Sequence, residues 1–220
     1  MHLRIGAKKR MKEYNYWGER ARSYDAATAH VVGEGTQRET KGWLLNQLQE
    51  TDDVLELGCG TGQFSEAVAQ KARHLTATEV ASEMLDVAMR RLSPFANVIV
   101  QVEDCYRTTF PDGTFDVVFL GNVIHILGKP MQALTESRRV LKPGGRILVA
   151  DATSCGMPFW SKLAMGIRYL KKFGLPPREN RIVGPGDVAR WLEAAGFQVE
   201  ESRLIQKETN VVCAKGRKQT

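Results

Sequence analysis

The most informative stretch of the sequence is Val54-Leu55-Glu56-Leu57-Gly58-Cys59-Gly60-Thr61-Gly62-Gln63-Phe64. A short apolar run typical of a buried strand leads into glycines at alternate positions, and a helical apolar periodicity follows. Glycine permits the positive φ of a tight turn, and without a Cβ it lets a ligand approach backbone N–H groups at a helix start. The stretch therefore predicts a strand, a nucleotide-binding type of turn and a helix.

The spacing of these glycines separates two classes of nucleotide site. The dinucleotide fingerprint G-x-G-x-x-G would require glycine at position 63, where this chain has Gln63. Residues Glu56 to Gly62 resemble instead E-x-G-x-G-x-G, the first motif of the class I S-adenosylmethionine (SAM)-dependent methyltransferases. The resemblance implies that this turn binds SAM rather than NAD. A glycine turn alone is weak evidence, so other segments must agree with it.

An acidic residue at the end of the second predicted strand is the next signal. Glu79 ends the strand predicted at 74–80, and it follows the glycines at the ~20-residue spacing of a carboxylate that binds ribose hydroxyls. Residues 79–85 resemble the family pattern D-x-S-x-x-M-L, with Glu79 in place of aspartate and Ala81 in place of serine. We expect Ser82 to cap the following helix one residue late.

Three later segments resemble the same family in the right order. They are Phe110 to Leu120 (F-x-D-x-x-F-D-x-V), Arg139 to Ile147 (R-x-L-K-P-G-G-x-[IL]) and Ala194 to Phe197, and the resemblance extends from about Tyr14 to Lys215. It implies an α/β fold with a doubly wound, seven-stranded, mostly parallel sheet and one antiparallel strand. Among subgroups the chain is similar to the small-molecule type, which includes the ubiquinone- and menaquinone-biosynthesis methyltransferases.

The resemblance also implies a set of cofactor-binding residues. In this pattern Glu79 binds the ribose, Asp104 accepts a hydrogen bond from the adenine amino group, and the backbone N–H of Cys105 donates to the adenine ring. Tyr16, Arg20 and Tyr24 are spaced to share one helical face, which either closes over the cofactor as a lid or packs on the body. The predicted cofactor site comprises Glu56, Gly58, Cys59, Gly60, Gly62, Glu79, Val80, Met84, Asp104, Cys105, Asn122, Tyr16, Arg20 and Tyr24.

His125 is the one histidine that the sequence pattern places near the transferred methyl group. Imidazole exchanges protons near neutral pH, so His125 is a candidate general base for a hydroxyl or thiol acceptor. The alternative is a structural histidine whose ring is tied to the backbone, and no carboxylate lies beside it in the sequence to orient it. Residues 122–125 also lack D/N-P-P-[YF], which disfavours methylation of DNA adenine or glutamine amides.

Composition sets outer limits on location and chemistry. The 220 residues are 43% hydrophobic and 25% charged, as in ordinary globular proteins. No run reaches the ~18 apolar residues of a membrane span, and no apolar segment follows the N-terminal charges, so we expect a cytoplasmic protein. The four cysteines are far apart, so we expect reduced thiols and no metal site. The net charge of +6 is concentrated at both ends, which favours solvated tails over nucleic-acid binding.

We expect one domain with additions. Residues 1–12 should form a flexible basic N-terminus, 13–50 a helical lid, and 51–220 the SAM-binding core, with an insertion at 152–183 that caps the substrate. Within the insertion, 158–174 should be a helix whose apolar face carries Phe159, Leu163, Ile167 and Leu170. A basic amphipathic helix can also rest on a membrane, and a lipid-like acceptor would allow both roles.

The sequence therefore predicts transfer of a methyl group from SAM to a small-molecule acceptor by in-line displacement. Three other functions keep some of the same motifs. An RNA methyltransferase would use the basic ends, and a SAM-binding protein without turnover would keep every motif. A metalloid methyltransferase would need several converging cysteines, and only Cys105 and Cys155 are near the predicted site. The acceptor and the oligomeric state do not follow from the sequence.

Overall fold

The computed structural model describes residues 16–219, so the predicted basic N-terminus at 1–12 and the start of the predicted lid lie outside the described residues. One seven-stranded sheet forms the centre of this part of the chain. Its strands are β1 (Asp53–Leu57), β2 (His74–Glu79), β3 (Val98–Val102), β4 (Phe115–Gly121), β5 (Leu141–Thr153), β6 (Phe197–Gln206) and β7 (Asn210–Lys218).

The strand order is β3-β2-β1-β4-β5-β7-β6. Strand β7 runs antiparallel to both β5 and β6, and the other neighbouring pairs are parallel. The predicted doubly wound sheet with one antiparallel strand is therefore confirmed. The apolar runs of β1 and β4 explain their central position, since strands covered on both faces need continuous hydrophobic sequence.

The described helices are α1 (Tyr24–Val32), α2 (Glu34–Asn46), α3 (Ser65–Ala69), α4 (Ser82–Leu92), α5 (Pro130–Val140), α6 (Phe159–Phe173) and α7 (Pro185–Ala194). Helices α2, α3 and α4 cover one apolar cluster of the sheet, and α5 and α7 cover a second one on the other face. Helices α1 and α6 pack against each other in a further cluster. Within residues 16–219, no helix combines the length and apolar character needed to cross a bilayer.

The expected cap of α4 differs from the structure. Ala81, not Ser82, occupies the N-cap position, in an extended conformation, and Ser82 is the first helical residue. The Ser82 hydroxyl donates to the Glu83 carboxylate (3.0 Å) rather than accepting from the helix backbone. The prediction that Ser82 caps the helix was wrong because the backbone is already helical at Ser82, so the extended N-cap position falls on Ala81, whose side chain has no hydrogen-bond acceptor.

The chain reverses direction across the sheet between β1 and β4. Residues up to β3 extend the sheet to one side of β1, and β4 then pairs with β1 on its other side. In open α/β sheets a crevice opens at the carboxyl ends of the strands at such a reversal, and ligands bind there. The predicted glycine turn follows β1 and His125 follows β4, so both lie at this crevice.

Candidate active site

A first cavity of about 1140 Å³, including its opening to solvent, lies at this crevice. Most of its lining comes from the segments that follow β1, β2, β3 and β4. From the predicted cofactor set it is lined by Gly58, Cys59, Gly60, Glu79, Val80, Met84, Asp104, Cys105, Asn122 and Tyr24. Other lining residues are Trp17, Thr61, Gln63, Phe64, Glu103, Tyr106, Gly121, Val123, Ile126, Leu127 and Pro177.

Gly58 and Gly60 require glycine in the turn for two different structural reasons. Gly58 has φ +74°, and a Cβ there would lie 2.6 Å from Val123 Cγ2, so only glycine fits. Gly60 has φ +56° and would carry a Cβ into open space, so its backbone is open to a ligand. Gly62 does not line the cavity, because it packs against Ala88 and Leu92 of α4.

Glu79 joins the end of β2 to the glycine turn. Its Oε2 accepts from the backbone N–H of Gly60 (3.0 Å), and its Oε1 accepts from Val80 (2.7 Å) and Ala81 (3.0 Å). Burial raises the pKa of this carboxyl, while the three N–H donors act in the opposite direction. Each carboxylate oxygen can accept more than one hydrogen bond, so capacity remains for hydroxyl groups of a ligand in the cavity.

Glu56 lies beneath the turn and does not line the cavity. It is almost fully buried, and its Oε2 accepts a hydrogen bond from the Ser65 hydroxyl at the start of α3 (2.6 Å). Burial raises the pKa of the Glu56 carboxyl to about 7. In this structure Glu56 connects β1 to α3 beneath the glycine turn, so any effect on a ligand in the cavity is indirect.

The segment after β3 forms another wall of the first cavity. Asp104 Oδ1 accepts from the backbone N–H of Tyr106 (2.9 Å), and burial raises the pKa of the Cys105 thiol to about 12. Glu103 also lines the cavity, although sequence reasoning did not select it. Its carboxylate accepts from the backbone N–H of Thr109 (3.1 Å) and from the Thr109 hydroxyl. In residues 16–219 no three His, Cys, Asp or Glu side chains are grouped to hold a metal ion.

A second cavity of about 730 Å³ adjoins the first, and Trp17, Tyr24 and Asn122 line both. Its remaining lining comes from α1, from the residues after β4, from the end of β5, from α6 and from the segment after α6. These residues are Thr28, Val31, Val32, His125, Ala152, Thr153, Ser154, Met165, Tyr169, Phe173, Asn180, Arg181 and Ile182.

His125 and Asp151 form a pair beside the second cavity. Asp151 Oδ1 contacts His125 Nδ1, and Asp151 Oδ2 accepts from the His125 backbone N–H (3.3 Å). The Asp151 side chain is fully buried, whereas the His125 side chain is 20% exposed. The ring is held by a carboxylate on β5 rather than by backbone, so the structure supplies the orienting group that the neighbouring sequence lacks. The remaining ring nitrogen is Nε2.

Asn122 connects the ends of β4 and β5 where the two cavities meet. Its φ of +56° is unusual for a residue other than glycine, although asparagine tolerates this region better than most. Asn122 Oδ1 accepts from the backbone N–H of Ala152 (2.9 Å), and its own N–H donates to Ala150 O (2.8 Å). Backbone strain of this kind is concentrated at functional sites.

The N-terminal segment does not form the continuous helix that the sequence predicts. Residues 16–18 are helical, 19–23 are turns, and α1 begins at Tyr24. Tyr24 lines both cavities, whereas Tyr16 and Arg20 contact the end of α6. The Tyr16 hydroxyl (2.9 Å) and Arg20 Nε (3.0 Å) both donate to Phe173 O. Trp17, which sequence reasoning missed as a site residue, lines both cavities.

Helix α1 is also tied to the glycine turn. The Thr61 hydroxyl donates to Asp25 Oδ1 (2.5 Å), and Arg91 Nη1 of α4 donates to Thr61 O (2.8 Å). Arg91 also forms an ion pair with Asp25. This cluster joins the N-terminal segment to the wall of the first cavity.

Thr28 presents an unsatisfied polar atom beside the second cavity. Its hydroxyl oxygen is buried and has no hydrogen-bond partner of ordinary geometry within residues 16–219, although it lies close enough to the Tyr24 hydroxyl to oppose the rise that burial causes in the pKa of that group, and Thr28 lines the cavity. A buried hydroxyl without a partner costs free energy, so native structures usually satisfy it. A polar group of a ligand in the second cavity is a suitable partner.

Helix α6 lines the second cavity with a different face from the apolar face predicted from the sequence. Met165, Tyr169 and Phe173 line the cavity and pack with Trp17, Tyr24 and α1. The predicted apolar face is exposed to solvent: Phe159, Leu163, Ile167 and Leu170. The four residues do share one face of α6, as the sequence predicts, but that face points away from the cavity, and the inward face of α6 is apolar as well.

Comparisons with known proteins agree on one family. A profile described as "Methyltransferase domain" matches residues 55–149. The chain is 34% identical over 173 residues to a demethylmenaquinone methyltransferase of Clavibacter sepedonicus, covering 69% of this chain and 68% of that protein. It is 30% identical over 206 residues to O-methyltransferase cnsE of Penicillium expansum, covering 90% and 69% of the two chains.

A solved structure has the same fold. A SAM-dependent methyltransferase from Aquifex aeolicus aligns with a TM-score of 0.68 and 22% identity, covering 90% of this chain and 97% of that one. The chain spans about half the length of several other curated relatives that it matches. Their whole activities therefore do not transfer to it directly.

Proposed function

The chain belongs to the class I SAM-dependent methyltransferases and uses SAM as its cofactor, and we propose that it methylates a hydroxyl group of a small, largely apolar acceptor. It is an enzyme of this family and resembles the quinone-biosynthesis group. One observation carries the proposal on the acceptor: the pair formed by His125 and Asp151 lies beside a second cavity that adjoins the first.

The first cavity fits SAM by the chemistry of its lining. The open side of Gly60 leaves room for a ligand against the backbone, and the Glu79 carboxylate is an acceptor suited to the two ribose hydroxyls. We assign Asp104 and Cys105 to the adenine, and Val80 and Met84 to its apolar surroundings. When bound, SAM supplies a methyl group that its positively charged sulfur has already activated.

The chain's own residues contribute alignment and proton transfer. Two adjoining cavities that share Trp17, Tyr24 and Asn122 hold both reactants together, and such alignment is worth ~7–11 kcal/mol. A hydroxyl must lose its proton as it is methylated, and His125 Nε2 accepts that proton. Asp151 accepts from Nδ1–H, fixes the tautomer in which Nε2 is the base, and stabilises the imidazolium that forms.

The lining of the second cavity supports a largely apolar acceptor. Met165, Tyr169 and Phe173 supply apolar and aromatic surface, and Thr28 supplies one polar atom without a partner. Pockets of this composition bind apolar molecules through their walls and orient them with a few polar groups. Among the relatives, the name of the Penicillium expansum O-methyltransferase supports a hydroxyl acceptor, and the name of the demethylmenaquinone methyltransferase supports a lipid-like acceptor without supporting transfer to oxygen. We further propose that residues 152–183 cap the acceptor through their cavity-lining side chains, which in α6 are Met165, Tyr169 and Phe173 and exclude its outer face.

The experiment has two parts. Calorimetric titration with SAM, S-adenosylhomocysteine and NAD tests the first cavity, and we expect binding of the first two compounds alone. Transfer of a labelled methyl group is then measured on acceptors that share one aromatic skeleton and carry a hydroxyl, an amine, a thiol or a methoxy group. We expect label on the hydroxyl oxygen. Preferential transfer to the amine, to the thiol or to a ring carbon would overturn the proposed acceptor chemistry.

A further inference from the structure

The outer face of α6 is a continuous apolar surface exposed to solvent. Trp160 is 76% exposed and Phe159 is 69% exposed, and Leu163, Ile167 and Leu170 are each about half exposed. Their spacing places them along one side of the helix over its whole length. Soluble proteins rarely leave so many neighbouring large apolar side chains exposed unless the surface binds something.

The charge of the same segment is strongly one-sided. Between residues 152 and 178 the sequence contains five basic residues and no aspartate or glutamate, which compares with a net charge of +6 for the whole chain. The basic residues are Lys162, Arg168, Lys171, Lys172 and Arg178, and all of them except Arg168 are exposed. Within residues 152–178, the charges beside the apolar face are therefore all positive.

We propose that the outer face of α6 docks on the surface of an anionic lipid bilayer. A helix that presents tryptophan, phenylalanine and leucine beside lysine matches the acyl boundary and the headgroups of such a surface. A second copy of the chain fits less well, because two such faces would bring like charges together. Protein interfaces are also depleted in lysine.

Docking in this orientation places the second cavity near the bilayer. The opposite face of α6 lines that cavity through Met165, Tyr169 and Phe173, so one helix separates the cavity from the docking surface. Ile182 is 68% exposed and also lines the cavity, so exposed apolar surface reaches the cavity rim. Docking would give a lipid-like acceptor a route from the bilayer into the second cavity. In this respect alone the docking inference rests on the proposed function.

The test uses the full chain and two kinds of vesicle, phosphatidylcholine alone and phosphatidylcholine mixed with phosphatidylglycerol. Binding is measured by co-flotation and by quenching of tryptophan fluorescence with brominated lipid. We expect binding to the mixed vesicles that weakens as salt increases. The variant Phe159→Ser/Trp160→Ser/Ile167→Ser should reduce partitioning at least tenfold, and Lys171→Glu/Lys172→Glu should do so on mixed vesicles only.

Two matched controls alter exposed residues on another part of the surface. The variant Met89→Ser/Ile99→Ser removes exposed apolar side chains of α4 and β3. The variant Arg90→Glu reverses an exposed charge of α4. Neither variant should change the partitioning to vesicles. Equal loss in the control variants would overturn the assignment to α6. Failure of the wild-type chain to bind mixed vesicles, or a dimer that only the α6 variants disrupt, would overturn docking on lipid.

The outcomes also separate docking from the proposed function. Methyl transfer to a water-soluble hydroxyl acceptor requires no vesicle, so it should persist in the α6 variants. Transfer to that acceptor together with absent vesicle binding would refute docking and leave the proposed chemistry intact. Vesicle binding by a chain that fails to methylate any hydroxyl acceptor would refute the chemistry and leave the docking surface intact.

Discussion

The first cavity is lined mainly by short turns that follow β1, β2, β3 and β4, whereas the second is lined largely by α1, α6 and the segment after α6. The turns of the first cavity are fixed by the sheet and by hydrogen bonds such as those from Gly60 and Val80 to Glu79. The second cavity depends on packing between helices that are far apart in the sequence. This difference suggests that cofactor binding and acceptor choice can be altered separately.

The largest expected effect separates turnover from cofactor binding. His125→Ala removes the proposed base from the second cavity, and general-base contributions are typically ~10²–10⁴-fold. Turnover of the hydroxyl acceptor should fall by about that factor, while SAM affinity should not change, because His125 does not line the first cavity. Labelled-methyl transfer and calorimetric titration measure the two quantities on the same preparation.

His30→Ala is the matched control, since His30 is an exposed residue of α1 and should leave turnover unchanged. Asp151→Asn should also lower turnover, and it should change how turnover depends on pH, because it removes the carboxylate that fixes the imidazole. Wild-type turnover in His125→Ala would make the histidine structural. Loss of SAM affinity would indicate that the two cavities do not act separately.

A second prediction concerns the buried carboxylate beneath the first cavity. Burial raises the pKa of Glu56 to about 7 from its ordinary value of 4.5, so between these pH values the folded protein keeps a proton that the unfolded chain has lost. Stability from this group is fully present below about pH 4.5 and is lost as pH rises through about 7, by roughly 3 kcal/mol. Glu56→Gln should remove most of this loss.

Denaturant unfolding at a series of pH values measures this effect. Asp86→Asn is the control, because Asp86 is an exposed carboxylate of α4 and should leave the pH dependence unchanged. A remaining slope in Glu56→Gln is expected, because the pKa of the buried Glu79 is also raised. An unchanged slope in Glu56→Gln would show that Glu56 titrates normally in the folded protein.

The third prediction tests the cofactor side directly. Glu79→Ala removes the carboxylate proposed to bind the ribose, and hydrogen bonds to charged groups contribute about 1.5–3 kcal/mol. SAM affinity should therefore fall at least about tenfold, since each 1.4 kcal/mol corresponds to tenfold. Calorimetric titration measures it, with Asp86→Ala as the exposed control. Unchanged affinity would refute the ribose assignment.

The lining of the first cavity was largely predictable from the sequence, whereas the lining of the second cavity was not. Glu79 ends β2, and Gly58, Gly60 and Asp104 lie within three residues after β1 or β3, so their positions follow from the order of strands in the sheet. The antiparallel β7 followed from resemblance and is confirmed. Asp151 near the carboxyl end of β5 gave the same end-of-strand signal as Glu79, and that signal could have predicted it.

The orientation of α6 was not predictable from periodicity. Both of its faces carry large apolar residues, so the pattern does not indicate that Met165, Tyr169 and Phe173 face inward. Their burial depends on contacts with Trp17 and α1, which are far away in the sequence. The contribution of Thr28 to the second cavity depends on the same packing, so sequence reasoning did not select it.

The smallest expected effect tests acceptor choice in the second cavity. Thr28→Val keeps the shape of the side chain and removes a buried hydroxyl that has no hydrogen-bond partner of ordinary geometry within residues 16–219 and lies beside the Tyr24 hydroxyl. The free protein should be as stable or slightly more stable, because an unsatisfied polar atom is removed. KM for a polar acceptor should rise a few-fold, since one neutral hydrogen bond contributes about 0.5–1.5 kcal/mol.

Thr28→Ser should instead keep the wild-type KM, because it retains the hydroxyl and loses only a methyl group. Thermal unfolding without ligand and initial rates at varied acceptor concentration measure the two effects in Thr28→Val. A destabilised Thr28→Val with wild-type KM would mean that the hydroxyl is satisfied inside the protein rather than by the acceptor. A raised KM for SAM as well would mean that Thr28 acts on the shared wall at Tyr24, and the two cavities would then have to be treated as one site.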